Sequence, residues 1–163
     1  MPKISVLNEL KLDTSKGMYC IYPFSKLNSE GKGCFKIGKT TTNFKDRFNQ
    51  YFTCLPMGMY YVCFLVNPTK HKNKRDENRY YSAIEKFINK ELEKQQAENV
   101  VSRTGIRGIS EWWYTDVNTI HDVFEIAEKK FGGESIPYNL HNAIRLHEPK
   151  KDDTYFEGTI KFY

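Results

Sequence analysis

The chain has 163 residues, of which 39% are hydrophobic, 15% aromatic and 28% charged, and it carries a formal net charge of +5 at neutral pH. That length holds one domain with a core of its own and is short for two independent ones. The balance of apolar and charged residues excludes a disordered chain, and no apolar run approaches the roughly 20 residues a membrane helix needs. The positive surplus leans toward a polyanionic partner without identifying it.

The first residues, Met1 to Glu9, lack the continuous apolar segment of a secretory signal, so an intracellular protein that is not secreted is expected. Residues 1–16 read as an N-terminal arm with Ile4, Val6, Leu7, Leu10 and Leu12 for packing. The four cysteines, Cys20, Cys34, Cys54 and Cys63, sit in apolar stretches with no Cys-x-x-Cys pair, which points to buried reduced thiols and away from a zinc site. The histidines His71, His121, His141 and His147 are scattered and read as surface or packing residues.

From Gly17 the pattern sharpens. Met18 to Tyr22 and Cys34 to Gly38 are rich in β-branched and aromatic residues and are separated by Asn28-Ser29-Glu30-Gly31-Lys32-Gly33, the signature of two strands and a long hairpin loop. Alternation puts Tyr19 and Ile21 on one face and Cys20 and Tyr22 on the other, and turns Lys36 away from Phe35 and Ile37. Thr40 to Asn43 supply helix caps, and Phe44, Phe48, Tyr51 and Phe52 recur at helical spacing, with Arg47 on the border of their apolar stripe. Met59 to Val66 is apolar nearly throughout and predicts an inner strand covered on both faces.

The charged run Lys70 to Arg75 leads into a long predicted helix from Asp76 to about Ala97, with Tyr80, Tyr81, Ile84, Phe87, Ile88 and Leu92 on one face. Glu85 lies at the edge of that apolar arc and Glu91 nearer its middle, so periodicity alone does not choose between them as a working carboxylate. A second basic stretch, Arg103 to Ser110, precedes the aromatic run Glu111-Trp112-Trp113-Tyr114-Thr115, which has the make-up of a short strand. Asp116 can cap a last helix with Val117, Ile120, Val123, Phe124, Ala127 and Phe131 facing in, closed by Gly132-Gly133. Residues 133–163 read as a C-terminal extension. Taken singly, Tyr19 is a core aromatic, Lys36 a surface charge and Glu85 a helix-rim residue.

Taken together, Gly17-Met18-Tyr19, Lys36-Ile37-Gly38-Lys39-Thr40, Arg47, Glu85 and the Glu111-Trp112-Trp113 segment, in this order, resemble the GIY-YIG nuclease superfamily. The similarity covers about residues 17 to 131 and is greatest to a phage and viral branch with a Lys-Ile-Gly-Lys-Thr second motif. The resemblance implies an α+β fold, a small three-stranded antiparallel sheet flanked by helices, over residues 17–132. It implies a metal-dependent endonuclease hydrolysing phosphodiester bonds of DNA, with Mg²⁺ or Mn²⁺ as cofactor and no membrane partner. By the same resemblance Tyr19 acts on the attacking water, Arg47 binds the scissile phosphate, Glu85 holds the metal, and Lys36 stands where the second tyrosine of the motif would be. Tyr51 occupies a position where relatives carry His or Tyr and joins the catalytic set, while Lys39, Arg103 and Arg107 are candidate substrate contacts. Met18 replaces isoleucine in the first motif and Asn89 stands four residues after Glu85, where the branch often has histidine. The alternative is a non-catalytic nucleic-acid-binding or protein-interaction module on the same fold, for which Glu85 beside a phosphate site would have no purpose.

Overall fold

The two apolar runs flanking the Asn28 loop form an antiparallel pair, β1 (Gly17–Pro23) and β2 (Lys32–Thr40), with Tyr19 opposite Gly38 and Ile21 opposite Lys36. The computed structural model that shows this describes residues 15–23, 27–54, 59–66, 71–100 and 111–137, without the side chains of residues 23, 49, 51–61 and 137. The hairpin is closed by Asn28, whose side-chain oxygen accepts from the amides of Glu30 and Lys32 at 3.0 and 2.9 Å. Gly31 supplies the positive φ of 75° that the turn requires. β3 (Met59–Val66) pairs antiparallel with the other edge of β1, with a register shift between Cys20 and Ile21.

Three further strands extend this sheet. β5 (Trp112–Asp116) pairs with β2, β4 (Glu98–Asn99) pairs with β5, and β6 (Glu134–Pro137) pairs with β3, giving the order β4-β5-β2-β1-β3-β6 with every pair antiparallel. The three-stranded sheet expected from the sequence is thus corrected to six strands, while the class remains α+β. Of the additions, β5 falls on the aromatic run that has the make-up of a short strand, whereas β4 and β6, of two and four residues, are too short to leave a period of their own and are specified by their long-range partners. The inner position expected for Met59 to Val66 holds, because β1 and β6 flank it. The arm before residue 15, the stretch with Arg103 and Arg107, and the chain beyond residue 137 lie outside the described residues.

The described residues contain three long helices, divided between the two faces of the sheet. α2 (Lys74–Lys94) and α3 (Val117–Phe131) cover one face: Met18, Cys20, Phe35, Ile37, Leu65 and Trp113 pack there with Tyr81, Ile84, Ile88 and Leu92 of α2 and Ile120, Val123, Phe124 and Ala127 of α3. Each such large apolar side chain withdrawn from water stabilises the fold by about 1.5–3 kcal/mol before entropy is counted. Asn73 caps α2 by accepting from the Asp76 amide at 2.9 Å, and Asp116 caps α3 by accepting from the Thr119 amide at 2.7 Å. α3 ends where Gly132, at φ 81°, donates its amide to the Glu128 carbonyl. The Tyr80 hydroxyl donates to the Phe131 carbonyl at 2.9 Å and ties the two helices together.

Burial also sets the chemistry of two groups in this layer. Cys20 and Cys63 face each other across β1 and β3, and burial, with Cys20 alongside, pushes the Cys63 thiol well above the ordinary thiol range. Cys20, Cys34 and Cys63 are free. The Tyr81 phenol is pushed from 10 to about 12 by burial first, then by the Glu77 carboxylate and Tyr80.

Candidate functional site

The opposite face of the sheet carries α1 (Phe44–Cys54). Asn43 starts this helix by accepting from the Asp46 amide at 2.7 Å, and the Phe44 amide donates to the Ser15 carbonyl at 3.0 Å, which fixes the helix against the entry to β1. Phe44 and Phe48, one turn apart, meet Tyr19 edge-on with centroid separations of 6.3 and 5.1 Å, and Phe64 of β3 packs against both. Such edge-to-face contacts suit the ring quadrupoles. The cluster leaves Tyr19 with 0% exposure.

Gly38 is the reason the Tyr19 ring can lie where it does. A Cβ at position 38 would fall inside the van der Waals envelope of the Tyr19 ring and hydroxyl. The glycine of the second motif is thereby a packing requirement of the tyrosine of the first. Over the same hydroxyl lies Arg47, whose Nε donates to Tyr19 Oη at 3.0 Å and whose Nη1 donates to Gln50 Oε1 at 3.1 Å. A half-buried guanidinium therefore caps a buried phenol, and its fork is oriented from both ends.

Lys36 lies on this face as well, two residues from Gly38. Its side chain is only 10% exposed, its Nζ is ion-paired with the Glu111 carboxylate, and it sits 5.5 Å from the centroid of Trp112, its partner in the β2–β5 register. The Ile37 amide donates to the Glu111 carbonyl at 2.8 Å, so Glu111 is held by its backbone beside the lysine it neutralises. Nothing in the spacing of the sequence assigned this role to Glu111; the signal was the aromatic run after it, which registers against β2.

Lys39 and Glu85 lie on the other side of β2. Strand alternation turns Lys39 toward α2, where Nζ stands 3.2 Å from Ser82 Oγ and 3.5 Å from Glu85 Oε1. The residues singled out in the sequence are thus brought together in pairs: Tyr19 with Arg47 and Lys36 with Glu111 on the α1 face, and Lys39 with Glu85 on the α2 face. Gly38 and Lys39 are neighbours in β2 and face opposite sides of the sheet. Glu91, the competing carboxylate, is paired with Lys94 of its own helix at 3.0 Å. Tyr51 is on α1 one turn beyond Arg47, with its side chain outside the described set, as are Arg103 and Arg107 entirely.

Among the described residues no three His, Cys, Asp or Glu side chains are grouped as a metal cage, and no helix is long and apolar enough to cross a membrane. Glu85 is 30% exposed in its side chain and its contact with Lys39 is long. Its carboxylate is thus a hard oxygen donor open to a cation such as Mg²⁺, which retains most of its waters.

These features define an α+β domain in which a strand tyrosine, a strand glycine and a helix arginine form one constellation. The T5orf172 domain family matches residues 19–128, a span that includes all of the candidate residues, and the chain belongs to that family. No curated protein and no solved structure matches the chain.

Proposed function

We propose that this protein is a metal-dependent endonuclease of the GIY-YIG type that hydrolyses phosphodiester bonds of DNA. The observation that carries the reading is the Arg47–Tyr19 hydrogen bond over Gly38. It joins the residues that the first motif, the second motif and the first helix contribute, although they are far apart in the sequence. The T5orf172 family is a phage-type, nucleic-acid-related one, which supports a nucleic acid as the substrate.

Hydrolysis of a phosphodiester needs positive charge where the pentavalent phosphorus centre gathers negative charge, and a proton acceptor for the attacking water. Arg47 supplies the first: a guanidinium is a planar fork of donors whose geometry suits phosphate oxygens. Tyr19 is the candidate for the second once its hydroxyl faces the water, with the Arg47 guanidinium held against that oxygen. Lys36 adds a fixed cation held by Glu111. Glu85 would hold Mg²⁺ or Mn²⁺, and the ion would contribute Lewis-acid polarisation of the phosphate.

The complete burial of Tyr19 favours a second reading, in which Arg47 and the lysines bind phosphate and no bond is cut. Incubation of the protein with supercoiled plasmid, single-stranded DNA and RNA in Mg²⁺, Mn²⁺ or EDTA decides between the two. Nicking or linearisation of plasmid that EDTA abolishes is the expected result. Intact substrates with both metals, together with retained binding, would replace the nuclease with the binding module.

A further inference from the structure

α2 carries a ridge of cations that the candidate site leaves unused. Arg75, Arg79, Ser82 and Lys86 recur at spacings of four, three and four residues and share one side of the helix, opposite the buried Tyr81, Ile84 and Ile88. With Lys74 they line an open groove of about 660 Å³ whose described lining has four basic side chains and no acidic one.

Fold stability does not account for this arrangement. Lys74 and Arg75 stand in the first turn of α2, where the helix dipole favours anions and opposes cations. Arg75 and Arg79 are a like-charge pair at i,i+4, which destabilises a helix. The acidic residues of that turn are engaged elsewhere: Asp76 accepts from Asn73 Nδ2 at 3.3 Å and Glu77 pairs with Lys16 at 3.2 Å. None of the four cations makes an ion pair with a described residue. A row of exposed cations that starts at the positive end of a helix, with no ion-paired carboxylate among the described residues, is complementary to a line of phosphates.

We propose that the Arg75–Arg79–Lys86 ridge binds the phosphate backbone of DNA and leads the strand along α2 to the Lys39–Glu85 pair. The proposal rests on the nucleic-acid reading above and gives its substrate a path. From Arg75 to Lys86 the helix rises about 16 Å, which matches the axial rise of about five nucleotides at 3.4 Å each. Ser82, halfway along the ridge, lies 3.2 Å from Lys39 Nζ, and Lys39 in turn reaches Glu85, so the ridge runs directly into the carboxylate of the candidate site. Arginine at two of the three positions suits bidentate contact with phosphate oxygens.

The test is a salt titration of binding between the full chain and a fluorescein-labelled DNA duplex, in EDTA so that no strand is cut. For a variant carrying Arg75→Gln, Arg79→Gln and Lys86→Gln, the slope of log K against log salt should fall by about 2–3 relative to wild type, since each released phosphate contact contributes about 0.9. Affinity at low salt should drop about tenfold or more. A second variant with Arg75→Lys, Arg79→Lys and Lys86→Arg keeps the charges and should keep the slope, which separates charge from any disturbance of the helix. An unchanged slope in the Gln variant, or wild-type protein that binds no DNA, overturns the proposal. Loss of binding to poly-glutamate with DNA binding intact also overturns it and assigns the ridge to an acidic protein partner. If the ridge variant loses its slope while plasmid stays intact with both metals, the ridge stands and the nuclease reading falls. If cleavage is active and the slope is unchanged, the ridge alone falls.

Discussion

The Nε of Arg47 donates to the hydroxyl of Tyr19 at 3.0 Å, and this bond adds a polar link between the first helix and the first strand to the ring contacts of Tyr19 with Phe44 and Phe48. It gives the arginine two tasks, satisfying a buried phenol and presenting positive charge, and the two can be separated by substitution.

Arg47→Ala should lower cleavage of DNA by about 10²–10³-fold, the usual cost of removing one electrostatic stabiliser of a transition state, and should destabilise the fold by about 1–3 kcal/mol because Tyr19 Oη loses a charged donor. Arg47→Lys should recover part of the stability and little of the activity, since an ammonium cannot bond the tyrosine and grip a phosphate with the same planar fork. Single-turnover cleavage and thermal denaturation on both variants check this; equal activity in Arg47→Lys and wild type would remove the arginine from the proposed chemistry.

Gly38→Ala should destabilise the protein by about 1–3 kcal/mol, the typical penalty for overpacking, because the added methyl enters the space of the fully buried Tyr19 ring. The displaced ring also moves its hydroxyl away from Arg47, so activity should fall along with stability. Chemical denaturation gives the first quantity and cleavage under folding conditions the second. A variant as stable as wild type would show that the ring has room to retreat.

The Tyr81 phenol titrates at about 12 in the folded chain and near 10 when unfolded. A raised folded value means that the native state holds the proton more tightly, so the stabilisation is fully present below about pH 10 and is lost as pH rises toward 12. Tyr81→Phe keeps the ring and removes the titration. The alkaline fall in Tm between pH 10 and 12 should therefore be shallower in the variant than in wild type, and parallel curves would contradict the burial of that hydroxyl.

The faces on which the candidate residues stand are in part legible in the sequence, and the reason is local periodicity. Alternation puts Tyr19 with Ile21 and turns Lys36 away from Phe35 and Ile37, and the β1–β2 register then sets Tyr19 and Lys36 on one face; Arg47 falls on the border of the stripe made by Phe44 and Phe48, which is where it meets Tyr19. The same alternation, carried three residues on from Lys36, turns Lys39 to the other face and explains why Glu85 meets Lys39 and not Arg47. What was not legible is pairing at a distance. Glu98–Asn99 and Glu134–Pro137 are strands only because β5 and β3 offer them an edge, and Glu111 neutralises Lys36 only because β5 registers against β2. No periodicity in a four-residue segment encodes such a partner, so the sequence pattern implies three strands where the sheet has six.

Glu85 is the residue at which the proposed metal role separates most cleanly from folding. Its ion pair with Lys39 is long and both side chains are about a third exposed, so its loss should change stability by no more than about 1 kcal/mol. Glu85→Gln preserves volume and the contact with Lys39 Nζ through an amide oxygen, but it removes the charge that would attract a divalent ion. If the carboxylate holds the metal, cleavage should fall by orders of magnitude while DNA binding in EDTA persists or tightens, because one negative charge near the phosphates is gone. Glu91→Gln is the control. That residue is paired with Lys94 on its own helix, its side chain is 13% exposed, and it lies nearly two turns further along α2, so its substitution should leave cleavage within about twofold of wild type. Cleavage that survives Glu85→Gln and disappears with Glu91→Gln would move the metal site along the helix and detach Lys39 from it.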